Sequence, residues 1–366
     1  MKTYHYPSLI NLSNSILKHF NAKTFHESIP EIDEALKGYK KVVAVLFDGM
    51  GRNIVRKHLK EDSFIRSHYV TTINSTFPPT TSAATTSFLT GKYPIETGWL
   101  GWNMYFKDVD RNIILFRGID YNTGKDLHIN VGEKYFPLKY IFELIEEADN
   151  NAKAFCVQRY PIQQDGVKNL IYEGVPRVNK ILKENDECFI YFYWDSPDYE
   201  MHTYGIDGKK IKHQVNKAQK FLKKVAKANK DTAFILLADH GHINVKFLDI
   251  TEHQDIYSLI DKPLSLEKRT VSFFIKKGKQ VEFAKLFKKY YGVYFELLTK
   301  EEALKQEIFG KGKPANGVED CIGDFIAIAT KEYCLYAPNE LSHNDAFKGH
   351  HAGGTEDERL IDISIF

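Results

Sequence analysis

Asp48 in LFDGMG, Asp198 in YWDSPDYEMH and Asp239 in LLADHGH each follow closely on a short apolar run. In an open parallel sheet, ligands bind beyond the carboxyl ends of the strands, so three such carboxylates would share one edge. Imidazoles accompany them at useful spacing: His202 stands four residues after Asp198, and His240 directly follows Asp239. His350 and His351 lie in KGHHAGGTEDE, where a glycine-rich loop can return an imidazole to the same edge. Asp and His together suit zinc or manganese better than calcium or magnesium. Each piece alone is weak, since Asp-Gly is a common turn and an Asp/His pair at i, i+4 is ordinary on a helix surface. Convergence of all of them would make a metal site.

Residues 74–94, NSTFPPTTSAATTSFLTGKYP, carry the complementary chemistry. Pro78 and Pro79 hold the chain extended, and the small residues from Thr80 onward can start a helix whose free N–H groups and dipole favour an anion. Thr80, Thr81 and Ser82 are all placed to cap that helix. A hydroxyl there that coordinates a metal loses its proton more readily and becomes a nucleophile near neutral pH. Metal, hydroxyl and helix terminus together point to phosphoryl transfer.

The elements that must position these groups are visible as apolar runs: VVAVLF at 42–47, FIYFYW at 189–194, FILLA at 234–238 and FIAIA at 325–329. They read as buried parallel strands. Amphipathic stretches at 140–148 and 213–228 alternate with them, the second apolar at Val215, Ala218, Phe221, Leu222, Val225 and Ala226. That alternation predicts an α/β architecture with helices on both sheet faces. Residues 243–321 differ, with RTVSFFI at 269–275, a helix at 281–290, then YFELL and a further helix. They are expected to form a smaller inserted α/β cap, leaving 1–242 and 322–366 as the core. The Lys-rich stretch 209–230 reads as a solvated helix face. Trp99, Trp102 and Tyr105 could stack a base at the pocket mouth or pack against the insertion. Asp195 stands either beside a ligand or on the surface.

A chain of 366 residues, 43% hydrophobic and 27% charged, has ample material for a core and excludes a single small module. Its net charge of +2 offers no broad field for gripping nucleic acid or an anionic membrane, so any anion binding must be local. Cysteines at 156, 188, 321 and 334 make no Cys-x-x-Cys pair, which favours a reducing compartment. The first twenty residues lack the apolar block of a signal peptide, and no run reaches the roughly 20 apolar residues that span a bilayer. The expectation is a soluble, cytoplasmic protein with a small-molecule partner, no nucleic-acid polymer and no membrane. Oligomeric state is not legible.

These blocks resemble the alkaline phosphatase superfamily, in its type I phosphodiesterase and nucleotide pyrophosphatase branch, over most of the chain outside the insertion. In that branch the nucleophilic Thr falls nine positions before a Thr-Gly followed by x-Tyr-Pro. Thr90-Gly91-Lys92-Tyr93-Pro94 therefore selects Thr81, with Thr80 as the fallback. The resemblance carries Asp-Gly onto Asp48-Gly49, Pro-Asp-x-x-x-His onto Pro197, Asp198 and His202, and Asp-His-Gly onto Asp239, His240 and Gly241. The last family histidine matches His351. It implies an alkaline-phosphatase-like three-layer α/β/α core and two divalent metal ions, zinc first and manganese as the alternative. One metal would be held by Asp198, His202 and His351, the other by Asp48, Thr81, Asp239 and His240. The branch often places a phosphate-binding Asn near a Met-Tyr pair, and Trp102-Asn103-Met104-Tyr105 offers Asn103 one position from the usual register. No Cys-x-Pro-x-Arg occurs, which removes the sulfatase branch. The implied activity is a phosphodiesterase or nucleotide pyrophosphatase acting through a phospho-threonine. Rivals on the same fold are a phosphomonoesterase, a phosphonate hydrolase and a phosphomutase. A non-catalytic metal- or nucleotide-binding protein is the rival of another class.

Overall fold

In a computed structural model that describes residues 6–149, 151–158, 166–338 and 347–366, two sheets organise the chain. The first has six strands in the order Tyr69–Asn74, Leu360–Ile365, Thr232–Leu237, Lys41–Phe47, Cys188–Trp194, Lys153–Gln158. Its last four strands run parallel, with Val42 opposite Phe189 on one side and Ala233 on the other. Every residue from Val42 to Phe47 and from Thr232 to Leu237 is buried, as a central strand covered on both faces requires.

The alternation of side chains along Cys188–Trp194 shows the layers directly. Phe189 and Tyr191 meet Phe20, Phe142 and Phe88, which belong to or adjoin helices Leu9–His19, Ile141–Ala148 and Thr81–Thr90. Phe192 faces the other way and stacks on Phe221 of helix Lys209–Ala228 at 4.6 Å. That helix buries Ile211, Val215, Ala218, Phe221, Leu222 and Val225, a stripe at helical spacing. Ala226, expected on this face, is only half-buried. Three layers, helix on sheet on helix, follow.

The second sheet has seven strands in the order Phe295–Thr299, Phe325–Ala329, Thr270–Phe273, Ser265–Leu266, Asn103–Phe106, Arg111–Ile114, Ile119–Asp120. FIAIA at 325–329, expected as a parallel core strand, is a member of this sheet and pairs antiparallel with both neighbours. Its five residues are all buried because helix Gln280–Tyr291 covers one face with Phe283 and Phe287 while a second apolar cluster covers the other. A fully apolar run records burial on both sides and is silent about strand direction. The sheet draws strands from 103–120 and 325–329 as well as from 265–299, so sequence positions 243 and 321 do not mark its limits. Trp99 packs inside this region at 5.0 Å from Phe116, and Trp102 lies 6.3 Å from the same ring. No helix among the described residues is long and apolar enough to cross a membrane.

Candidate metal centre

Asp48, Asp198 and Asp239 stand just beyond the carboxyl ends of three adjacent parallel strands, Lys41–Phe47, Cys188–Trp194 and Thr232–Leu237. Close backbone approach makes the convergence work. Gly49 sits at φ +69, and a Cβ there would meet Asp198 Cβ at 2.9 Å. Gly241 leaves no room either, since a Cβ would lie 1.9 Å from the Asp357 carbonyl oxygen. Asp239 Oδ1 accepts the N–H groups of Gly49 and His240, each at 3.0 Å, so its other oxygen is aimed at the cluster.

Around these carboxylates the chain gathers every metal-ligand candidate read from the sequence. His240 Nε2 is 3.4 Å from Asp48 Oδ1 and 3.5 Å from Asp239 Oδ2. Thr81 Oγ1 lies 3.2 Å from the same His240 nitrogen and 3.4 Å from Asp48 Oδ2. His202 Nε2, one helical turn along Asp198–Tyr204, is 3.3 Å from Asp198 Oδ2. His351 Nε2 is 3.9 Å from Asp198 Oδ1, and its ring stacks on His240 at 3.8 Å. Three overlapping groups of donors result: Asp48 with Asp239 and His240, Asp198 with His202 and His242, and Asp198 with His240 and His351.

The imidazoles are oriented by their far nitrogens. Nδ1 of His202 faces the Gly349 carbonyl at 3.0 Å, that of His240 faces the Gly241 carbonyl at 2.9 Å, and that of His351 faces the Pro79 carbonyl at 3.1 Å. A carbonyl oxygen can only accept, so in the neutral ring Nδ1 carries the hydrogen and the Nε2 lone pair is turned on the carboxylates. Lone pair against carboxylate is repulsive unless a positive charge lies between them. The neighbouring atoms agree: Asp48 Oδ1, Asp198 Oδ1 and Asp239 Oδ2 are buried without a hydrogen-bond partner.

The protonation balance carries the same signature. Burial, followed by the Asp239 and Asp198 charges, holds the Asp48 carboxyl well above the usual carboxylate range. Asp239 is raised by burial as well. Burial also pushes Asp198 up, but His202, His242 and His351 overcome it and hold that carboxyl well below the usual range. Burial lowers His351 and His350, whereas Asp198 outweighs burial at His202 and raises it. Asp48, Asp239 and His202 are thus shifted toward holding a proton, and Asp198, His350 and His351 toward releasing one. The donor set fits divalent cations of the zinc class.

Three participants were not read from the sequence. His242 is fully buried, its Nε2 is 3.2 Å from Asp198 Oδ1, and neither ring nitrogen has a hydrogen-bond partner. Burial takes its pKa down to about 4. The signal was present as a second His two places beyond His240. Tyr193 donates its hydroxyl to Asp48 Oδ2 from the end of its strand, but nothing in an apolar run distinguishes that Tyr from packing. Glu267 directly follows strand Ser265–Leu266 of the second sheet and accepts the Thr80 hydroxyl at 2.6 Å. Thr80 is therefore turned away from the metal-ligand candidates, and Thr81 faces them. Pro78 does not extend the chain as expected: the Phe77–Pro78 peptide is cis and the chain bends there. Ser82 donates to the Gly101 carbonyl at 2.6 Å and does not cap the helix. Asn103 donates Nδ2 to the Leu266 carbonyl at 3.2 Å, while its Oδ1 is buried without a partner.

Compared with known proteins, the chain matches the family model for type I phosphodiesterase / nucleotide pyrophosphatase over residues 42–136 and 137–353. Among solved structures it is similar to murine ectonucleotide pyrophosphatase / phosphodiesterase 5, at 17% identity and TM-score 0.66, covering 88% of this chain and 87% of that one. An inactive variant of the murine protein in complex with AMP aligns at 16% identity and TM-score 0.66, covering 89% and 87%. Phosphonoacetate hydrolase from Sinorhizobium meliloti 1021, in complex with phosphonoformate, aligns at 15% identity and TM-score 0.62, covering 90% of each chain. Likeness at these identities establishes a shared fold. No curated protein matches by sequence.

Proposed function

The chain belongs to the type I phosphodiesterase/nucleotide pyrophosphatase family, a family of phosphoester hydrolases, and from that premise we propose that it hydrolyses a phosphodiester or pyrophosphate through a covalent phospho-threonine on Thr81. The observation that carries this reading is the position of Thr81 Oγ1, at the start of helix Thr81–Thr90 and within 3.4 Å of both Asp48 and His240.

Asp198, His202 and His351 would hold one divalent cation, and Asp48, Thr81, Asp239 and His240 a second, with zinc the first choice. Bound there, the two ions would supply Lewis-acid stabilisation of charge on the phosphoryl group and on the attacking and leaving oxygens. The chain's own residues do the rest. Thr81 Oγ1 attacks phosphorus in line, the bond to the leaving oxygen breaks, and the phosphoryl group passes to threonine. N–H groups of the helix's first turn, which have no carbonyl to bond within the helix, face the phosphoryl oxygens. Water then attacks the phospho-threonine from the vacated side and returns Thr81, so two inversions retain configuration at phosphorus. Burial of the three carboxylates keeps bulk water from competing with these contacts.

Turnover of bis-p-nitrophenyl phosphate by Thr81→Ala tests the assignment. The expected result is a loss of kcat of at least about 1,000-fold with bound metal unchanged. Undiminished turnover would discard the nucleophile. Rates on diesters, monoesters and phosphonoacetate compared side by side decide substrate preference; a diester or pyrophosphate preference is expected, and faster monoester or phosphonate cleavage would move the chain to one of the rival activities.

A further inference from the structure

Glu267 is a carboxylate next to strand Ser265–Leu266 that reaches the helix carrying Thr81. It is buried, and burial pushes its pKa up to about 7 against the opposing hydrogen bonds from Thr80 and Trp102. A buried carboxylate is costly, so its retention calls for a reason. The backbone that presents it is also unusual. Leu266, fully buried, has φ +71, a conformation costing about 1–3 kcal/mol for a residue with a side chain. Gly101 makes room for it, since a Cβ there would meet Leu266 Cα at 2.9 Å.

What Glu267 does is visible at Thr80. Thr80 is the N-cap of helix Thr81–Thr90, with the extended backbone of that position, φ −140 and ψ 147. A threonine there ordinarily accepts a hydrogen bond from an N–H of the first turn. Thr80 makes no such bond; its hydroxyl is donated to Glu267 Oε1 at 2.6 Å. The same oxygen accepts the Trp102 N–H at 2.7 Å, fixing the entry to strand Asn103–Phe106. Ser82, the other hydroxyl near the helix start, is engaged by Gly101. The first-turn donors beside Thr81 are thus kept clear of the protein's own caps.

We propose that Glu267 is a positioning residue for phosphoryl transfer: by drawing off the Thr80 hydroxyl it denies the Thr81 helix its side-chain cap and keeps the first-turn N–H groups open for a phosphoryl oxygen. The inference rests on Thr81 as nucleophile, and it makes a demand that simple packing does not. If Glu267 is removed, the freed Thr80 hydroxyl turns to the helix and competes with substrate; if that hydroxyl is then removed too, the competition ends.

The experiment is kcat and KM for bis-p-nitrophenyl phosphate in Glu267→Ala, Glu267→Gln and the double variant Glu267→Ala/Thr80→Val, with metal content and melting temperature measured on each. Glu267→Met, which keeps side-chain bulk, replaces alanine if that variant is unstable. Glu267→Ala is expected to lower kcat by about 100-fold, the order seen when one donor to a developing oxyanion is lost, with metal content unchanged. Glu267→Gln, whose amide oxygen accepts the same two donors, recovers most of that rate. Adding Thr80→Val to Glu267→Ala is expected to raise kcat again by at least about fivefold, although a second buried partner has been removed. No recovery, or a further fall, in the double variant would overturn the proposal and leave Glu267 as packing. The wild-type rate and Thr81→Ala report separately on the underlying reaction.

Discussion

Individual side chains at this site are oriented by contacts on the face away from the carboxylate cluster. Each of His202, His240 and His351 spends Nδ1 on a backbone carbonyl and turns Nε2 inward. Asp198 is the residue most crowded by imidazole, with His202 at 3.3 Å, His242 at 3.2 Å and His351 at 3.9 Å. His242→Ala is therefore expected to weaken metal affinity by about 10- to 100-fold in competition with a chelator, the usual effect of losing a group that supports a ligand. Affinity unchanged within twofold would show that Asp198 is held without it. The carboxylates and first histidines were legible because each follows an apolar run at family spacing. His242 and Tyr193 were not, because each joins the cluster through contact with Asp198 or Asp48, and contact at a distance leaves no periodicity. Glu267 was hidden for the same reason, since 187 residues separate it from Thr80.

At the scale of elements, the second sheet is fastened to the first by a buried ion pair. Arg269, beside strand Thr270–Phe273, meets Glu358 through Nε at 2.6 Å and Nη2 at 2.9 Å, with both side chains fully buried. Burial pushes the Glu358 carboxyl up, and the Arg269 guanidinium overcomes it and holds it below the usual range. A carboxylate whose pKa is depressed on folding stabilises above its unfolded pKa, and that stability is lost as pH falls through the native value. Arg269→Met leaves Glu358 buried without its partner and is expected to cost about 3–5 kcal/mol in urea unfolding at pH 7. Replacing both, as Arg269→Met with Glu358→Gln, should cost less and flatten the loss of stability below about pH 5. A single variant as stable as wild type would contradict this. The acidic TEDE stretch was visible in the sequence as a cluster near a histidine, and its tie to Arg269 was not. Helix positions were read well from apolar spacing, as in Lys209–Ala228. Strand direction was not, as Phe325–Ala329 shows.

For the whole molecule, a net charge of +2 conceals a strong local imbalance: three carboxylates converge in a buried cluster where unpaired oxygens face imidazole lone pairs. Such a cluster opposes folding on its own and favours it once divalent cations bind, because binding to the folded state alone adds RT ln(1 + [L]/Kd). Filling sites at 100 times Kd is worth about 2.7 kcal/mol each, enough to raise the melting temperature by several degrees. The parallel sheet that assembles the cluster was foreseeable from four apolar runs, three of which lie in it. The second sheet was only half foreseen, since its short strands at 103–120 carry no clean alternation. Zinc titration of the chelator-stripped chain, with bound metal and bis-p-nitrophenyl phosphate hydrolysis followed on one sample, tests the central claim most directly. Turnover should be absent from the stripped chain and rise as two ions per chain bind; full turnover without metal, or metal bound equally well after His202→Ala and His351→Ala, would contradict it.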